Sequence, residues 1–335
     1  MSLLASPIVK TDRPSYRPYR ARVSKLTRLT PHFTRIAFEC PDFHVFGTDR
    51  LDQRIKILFP LADGSLASLG CDDEASIDAG DWYMQWRALP EDERCPFRTY
   101  TVRSIDPAAR LLEVDFVAHG DGGPAARWLL GAQVGDEVLV VGPDARSIHS
   151  AQGIDWRPGT ASDLLLVGDE TAAPAICAIL ESLPADRRVH AFIEVPHADD
   201  RFELDVPSHF EITWLDRSAD WLDRSADADA DIPSGAAGRH GSRLVPAIER
   251  WVSANPSTVR AAAAGRAQPL AEVDVDVEIL WESPEPASSG FYAWIAGESA
   301  TVKTIRRLLV THNGIDRGRV AFMGYWRLGQ SEKQA

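Results

Sequence analysis

The segment Arg98-Thr-Tyr-Thr-Val-Arg103 holds residue types suited to gripping a charged, flat ligand. On a strand, Arg98, Tyr100 and Val102 share one face, while Thr99, Thr101 and Arg103 share the other. An Arg beside a Tyr can clamp a phosphate while the ring packs on a planar heterocycle. Thr101 can then reach a ring nitrogen. An ordinary exposed strand face accounts for the same residues. A second segment, Asp115-Phe-Val-Ala-His119-Gly-Asp-Gly122-Gly123-Pro124-Ala125-Ala126, reads as strand, glycine-rich turn and helix start. Free N–H groups and the helix dipole there favour a pyrophosphate, and glycines let it approach the backbone. A tight turn before a capping helix is the competing reading. Taken together, the two segments favour a flavin dinucleotide.

Two further segments suit a second nucleotide. Leu164-Leu-Leu-Val-Gly168-Asp169-Glu170-Thr171 is a continuous apolar run ending in polar residues, the pattern of a buried strand entering a helix. It has no GxGxxG, and Asp169 and Glu170 fit either ribose contacts or helix capping, with Thr171 as a donor. Trp294-Ile-Ala-Gly297-Glu298 ends a similar run, followed by Lys303, Arg306 and Arg307 on a helix. Those three read equally as a solvated basic face. Gly324-Tyr-Trp326-Arg ends the last apolar run, and Trp326 suits either a flavin cover or a core position. Glu194, at the end of VHAFIEV, can accept from a ribose 2′-hydroxyl and tilts the donor toward NADH. Arg201 and His197 nearby suit a 2′-phosphate instead.

The elements around these residues fall into two rhythms. Short strand-like stretches broken by Gly, Pro and Asp predict a six-stranded antiparallel β-barrel over residues 19–149. A polar linker, 150–162, leads to alternating strands and helices over 163–330, predicting a parallel-sheet α/β domain. A stretch near 217–262 fits neither rhythm and reads as a variable insert. Within it, Trp214-Leu-Asp-Arg-Ser-Ala-Asp is repeated from Trp221, which reads as a slipped duplication in a tolerant surface loop.

The chain has 335 residues, with 36 Lys+Arg against 49 Asp+Glu and a net charge of −13. That balance opposes nucleic-acid binding, which needs excess positive charge. No long charge-free apolar run or secretory leader is evident, so the expected location is cytoplasmic, without membrane insertion. The four cysteines, Cys40, Cys71, Cys95 and Cys177, have no metal-site or redox-pair spacing, so no metal centre is expected. No GxSxG elbow supports a hydrolase.

In this order, RTYTVR, DFVAHGDGGPAARW, VGDETAAPAI, WIAGE and GYWR resemble the siderophore-interacting protein family, flavin-dependent ferric-siderophore reductases of the ferredoxin-reductase-like group. The resemblance implies an FAD-binding barrel followed by a nicotinamide-nucleotide domain. It implies that Arg98, Tyr100, Thr101, Asp115, His119, Gly122, Gly123, Ala125 and Ala126 hold FAD. Asp169, Glu170, Thr171 and Glu298 would line the NADH or NADPH site. Lys56 and a basic residue among Lys303, Arg306 and Arg307 would face the anionic ferric siderophore. Some members carry an Arg directly after the barrel's closing Gly-Pro, where this chain has Asp144 followed by Arg146. The flavin would carry the redox chemistry, with no catalytic side chain. The alternatives are a general flavin or ferredoxin-type reductase, with a redox protein as partner, and a non-catalytic module that binds ferric chelates.

Overall fold

A computed structural model describes residues 8–118, 123–218, 239–266, 268–270, 273–275, 278–286 and 290–329. These form two compact units, one running to residue 154 without 30–32, the other comprising 30–32 and 155–329.

The first unit contains β1 (Tyr16–Arg28), β2 (Phe33–Glu39), β3 (Arg54–Leu58), β4 (Phe97–Thr101), β5 (Ser104–Asp106), β6 (Leu111–Val117) and β7 (Glu137–Pro143). They form one antiparallel sheet in the order β4-β3-β7-β1-β2-β6-β5. The sheet has seven strands where the sequence predicts six. The extra one, β5, is only three residues long and carries no alternation of its own. Arg103 N–H reaches Glu113 O (3.0 Å), and Tyr100 packs 4.3 Å from Phe116, so the sheet curls and brings β4 to β6. Alternate residues of the long strands, among them Tyr19, Ile36, Phe38, Ile55, Ile57, Val114, Phe116 and Val140, fill the inside of that curl.

After β3 come α1 (Glu74–Ala79) and α2 (Trp82–Ala88), and α2 covers the other face of β3 and β7, with Trp86 buried against Leu58, Phe97, Leu139 and Val141. Both helices are too short to show a period in the sequence. Asp73 caps α1, and Gly80 ends it in the left-handed region. Arg146 holds the α1 end in place by gripping buried Asp144 (Nη2–Oδ2 2.8 Å) and Glu74 (2.8 Å). A single helix, α3 (Pro124–Gly131), follows the glycine-rich turn as predicted.

The second unit contains β8 (Asp163–Gly168), β9 (Arg188–Val195), β10 (Glu211–Asp216), β11 (Trp281–Glu282), β12 (Phe291–Glu298) and β13 (Val320–Trp326). Their order is β10-β9-β8-β12-β13-β11, all parallel except β11, which runs antiparallel to β13. The sheet is therefore mixed where the sequence predicts a parallel one, because β11 adds a two-residue edge. Helices α4 (Ala173–Ser182), α5 (Leu244–Ala254), α6 (Pro256–Ala262) and α7 (Ser299–Arg306) cover it. After α7 the chain continues as a π-helix, Arg307–His312.

The stretch read as an insert near 217–262 thus contains two covering helices. Leu244, Ala247, Ile248, Trp251 and Val252 of α5 repeat at helical spacing and are buried. Over its described residues, 214–218, the first copy of the duplicated heptad is no surface loop either. Its Trp-Leu-Asp is the end of β10, and its Arg217 is buried. The second copy lies outside the described residues. Among the described residues, no helix is long and apolar enough to cross a membrane.

Candidate flavin and nucleotide sites

In the first unit, strand alternation puts Arg98 and Tyr100 on one face of β4, as expected. Tyr100 packs on Phe116 and stands 6.4 Å from Phe59. The Arg98 guanidinium donates to Phe97 O (2.7 Å), and its Nη2 would lie 3.9 Å from a Cβ placed on Gly123. The fold therefore brings the Arg-Tyr strand to the start of α3. Gly123 is the N-cap and Pro124 the first helical residue, so no side chain caps the first turn carrying Ala125 and Ala126. His119 and Gly122 lie outside the described residues. One guanidinium, an uncapped helix start and an aromatic ring are a donor set that fits a dinucleotide pyrophosphate and its flat ring system.

Three other residues of this unit sit differently from a simple ligand ring. Thr101 is buried on the face opposite Tyr100. Asp115 is buried and held by Arg35 through two bonds (2.7 and 2.9 Å), with Arg103 Nε at 3.5 Å. Its carboxylate knits β2 to β6, and the pair raises the Arg35 pKa. Lys56 lies opposite Thr99 in the β3–β4 ladder, donates to Thr99 Oγ1 and stands 5.0 Å above the Phe97 ring. It therefore shares the Thr99–Thr101 face, and Arg98 shares the other.

In the second unit, β8 and β12 are neighbours from which the chain winds outward in opposite directions, so their carboxyl ends form the switch point of the sheet. Asp169, Glu170, Thr171 and Glu298 all lie there, as predicted. Their carboxylates are engaged within the unit. Asp169 is buried; its Oδ1 accepts from Thr171 N (2.9 Å) and Oγ1 (2.6 Å), and its Oδ2 accepts from Glu298 N (2.7 Å) and Trp326 Nε1 (2.8 Å). Glu298 caps α7 by accepting from Thr301 N (2.8 Å). Glu170 is buried and grips Arg217 with both oxygens (2.5 and 2.7 Å).

Glu194, read as a ribose ligand, is buried beside the same Arg217 (3.4 Å) and caps α5 by accepting from Gly241, Arg243 and Leu244 N–H groups (2.8–3.2 Å). Burial raises its pKa, so this group by itself favours the fold at low pH, and that contribution is lost as pH rises through the raised value. Arg217 and the three amides oppose that loss by favouring the carboxylate. Arg217 and His240, whose ring meets Trp326 edge-on at 4.6 Å, are the residues missed in the sequence. The one signal for Arg217 was its place at the end of an apolar strand.

Gly297 shows how tightly this end is built. Its φ is +141°, and a Cβ there would lie 2.7 Å from Asp169 Cγ. Gly297→Ala is expected to cost about 1–3 kcal/mol from backbone strain before any clash. At roughly 2–4 °C per kcal/mol for a domain of this size, calorimetry should show a melting point several degrees lower.

The basic residues of α7 and the following turn meet in a cavity of about 380 Å³ lined by Gln268, Leu270, Lys303, Arg306, Arg307 and His312, among others. Lys303 donates to Val273 O (2.6 Å), and buried Arg306 pairs with Glu282, so both already serve contacts within the unit.

An antiparallel seven-stranded unit followed by an open α/β unit is the two-domain FAD-binding, ferredoxin-reductase-like fold. A ferredoxin reductase of carbazole 1,9a-dioxygenase superposes with a TM-score of 0.53 at 15% identity, covering 93% of this chain and 70% of its own. Residues 22–147 match the siderophore-interacting FAD-binding domain, and residues 161–329 match the siderophore-interacting protein model. The chain belongs to the siderophore-interacting protein family. A siderophore utilization protein from T. fusca is 29% identical with a TM-score of 0.61, each chain covered over 96%. The ferric vibriobactin reductase ViuB of Vibrio cholerae is 25% identical over 305 residues, 91% of this chain and 88% of ViuB.

Proposed function

We propose that the protein reduces ferric siderophores in the cytoplasm, using FAD and electrons from NADH or NADPH. The observation that carries this reading is the meeting of Arg98, Tyr100 and the uncapped start of α3 in a unit matching the family's FAD-binding domain. FAD, when bound, accepts a hydride and passes on single electrons. Arg98 and the first-turn amides of α3 would bind its pyrophosphate, Tyr100 would back its ring system, and the main chain at Thr101, whose side chain faces the other way, would reach a ring nitrogen. Asp115 keeps β2 and β6 together around that site. No side chain acts as acid, base or nucleophile. Siderophores hold hard Fe(III) through charged oxygens, and Fe(II) is held less tightly and leaves.

Lys56 attracts the anionic chelate on an otherwise acidic protein. Glu194 gives no basis for preferring NADH, since α5 and Arg217 occupy its oxygens. Both nucleotides are therefore donors to be compared. The name of ViuB supports the substrate class.

The test is Fe(II) release into a chromogenic trap, compared with reduction of free flavin and of a redox protein. A ferric siderophore should be the preferred acceptor. Preference for free flavin or the redox protein points to a general reductase, and no turnover of any acceptor points to a binding module. In the same assay Lys56→Ala should raise KM for an anionic ferric chelate several-fold with kcat little changed. An unchanged KM in a folded variant removes Lys56 from the substrate site.

A further inference from the structure

Asp169 stands at the carboxyl end of β8, in the crevice where an α/β sheet of this order binds its nucleotide, yet every strong acceptor position on its carboxylate is engaged. Two donors come from Thr171, just after β8, one from the end of β12 and one from the indole of Trp326 at the end of β13. A buried carboxylate with four donors is a poor ribose ligand, because a sugar hydroxyl would have to displace one of them. What it does is join three adjacent strand ends. Of the groups it holds, only the Trp326 side chain is a large flat surface. The indole is partly exposed, its N–H is fixed by Asp169, and His240 packs against it edge-on (82°).

We propose that Asp169 is a positioning residue for the nucleotide site: it locks the Trp326 ring as the platform on which the nicotinamide nucleotide stacks. This rests on the reading of the second unit as the NAD(P)H domain. The chemistry recognised is a planar heterocycle, and ring stacking adds to what area burial alone contributes in protein aromatic pairs. A ring free to rotate loses part of that to rotamer entropy. The close approach of Gly297 follows from the same arrangement, since any side chain there would push the carboxylate off the indole.

The test uses full-length, FAD-loaded protein with ¹⁵N-indole labelling, Trp326 being assigned from its absence in Trp326→Phe. NAD⁺ and NADP⁺ are the probes, and the readouts are the Trp326 indole resonance and the dissociation constants. Addition of at least one nucleotide should move the resonance. Asp169→Asn should shift it in the free protein and weaken nucleotide binding about three- to ten-fold. Trp326→Phe, which removes the same hydrogen bond from the other side, should weaken it comparably and serves if Asp169→Asn does not fold. In a Trp326→Ala background, Asp169→Asn should cause no further loss.

Three results overturn the proposal while leaving the donor assignment intact. They are nucleotide binding that leaves the indole resonance unmoved, binding unaffected by Trp326→Phe, and an Asp169→Asn effect that persists without the indole. If neither nucleotide binds the native protein, the donor assignment fails, and the proposal fails with it.

Discussion

Arg98→Ala should lower FAD affinity by about 10- to 100-fold, the loss expected for a charge-assisted hydrogen bond of roughly 1.5–3 kcal/mol. The Arg98 guanidinium donates to the neighbouring Phe97 carbonyl, and its Nη2 borders Gly123 at the start of α3. Removing it therefore leaves the sheet intact and strips the positive charge from the helix start. Flavin titration of the deflavinated protein measures the change, with circular dichroism confirming the fold. Arg98→Lys should recover only part of the loss, because an ammonium lacks the planar fork that binds two phosphate oxygens. Unchanged affinity in Arg98→Ala would mean that the pyrophosphate lies elsewhere.

Glu170→Ala should destabilise the second unit by about 3–5 kcal/mol, the usual cost of removing one partner from a buried pair. Arg217 is almost wholly buried, and its two strong bonds go to Glu170. Glu194 is farther away (3.4 Å) and already accepts from the first turn of α5. The guanidinium would be left short of countercharge at the ends of β8, β9 and β10. Chemical denaturation reads the effect. Arg217→Met in the same chain should restore much of the stability, since a matched apolar replacement removes the stranded charge. A double variant no more stable than Glu170→Ala would show that the network does not act as a unit.

Much of this site was legible in the sequence because its signals are local. Alternation alone set Arg98 and Tyr100 on one face, and the Gly-Pro step marked the start of α3. The apolar run 163–168 announced a strand buried on both sides. What sequence could not show is pairing at a distance. Asp169, Glu170, Glu194 and Glu298 all stand at the carboxyl ends of the parallel strands, as their positions after apolar runs suggested. The partners of the first three, however, are Trp326, Arg217 and the α5 amides, far away in the chain, and only folding reveals them, whereas Glu298 caps the helix that directly follows it. Short elements were lost for a different reason. α1, α2 and β5 are too brief to display a period, and Pro246 in the first turn of α5 disguised a helix whose apolar spacing is otherwise regular.

The most direct measurement is anaerobic mixing of the FAD-loaded protein with NADH and NADPH in turn, followed by a ferric siderophore, with the flavin absorbance monitored throughout. The account predicts bleaching by at least one nucleotide, then recovery of the oxidised spectrum as Fe(II) appears in equivalent amount. A flavin that stays oxidised with both nucleotides, or a bleached flavin that the ferric siderophore leaves bleached, contradicts it.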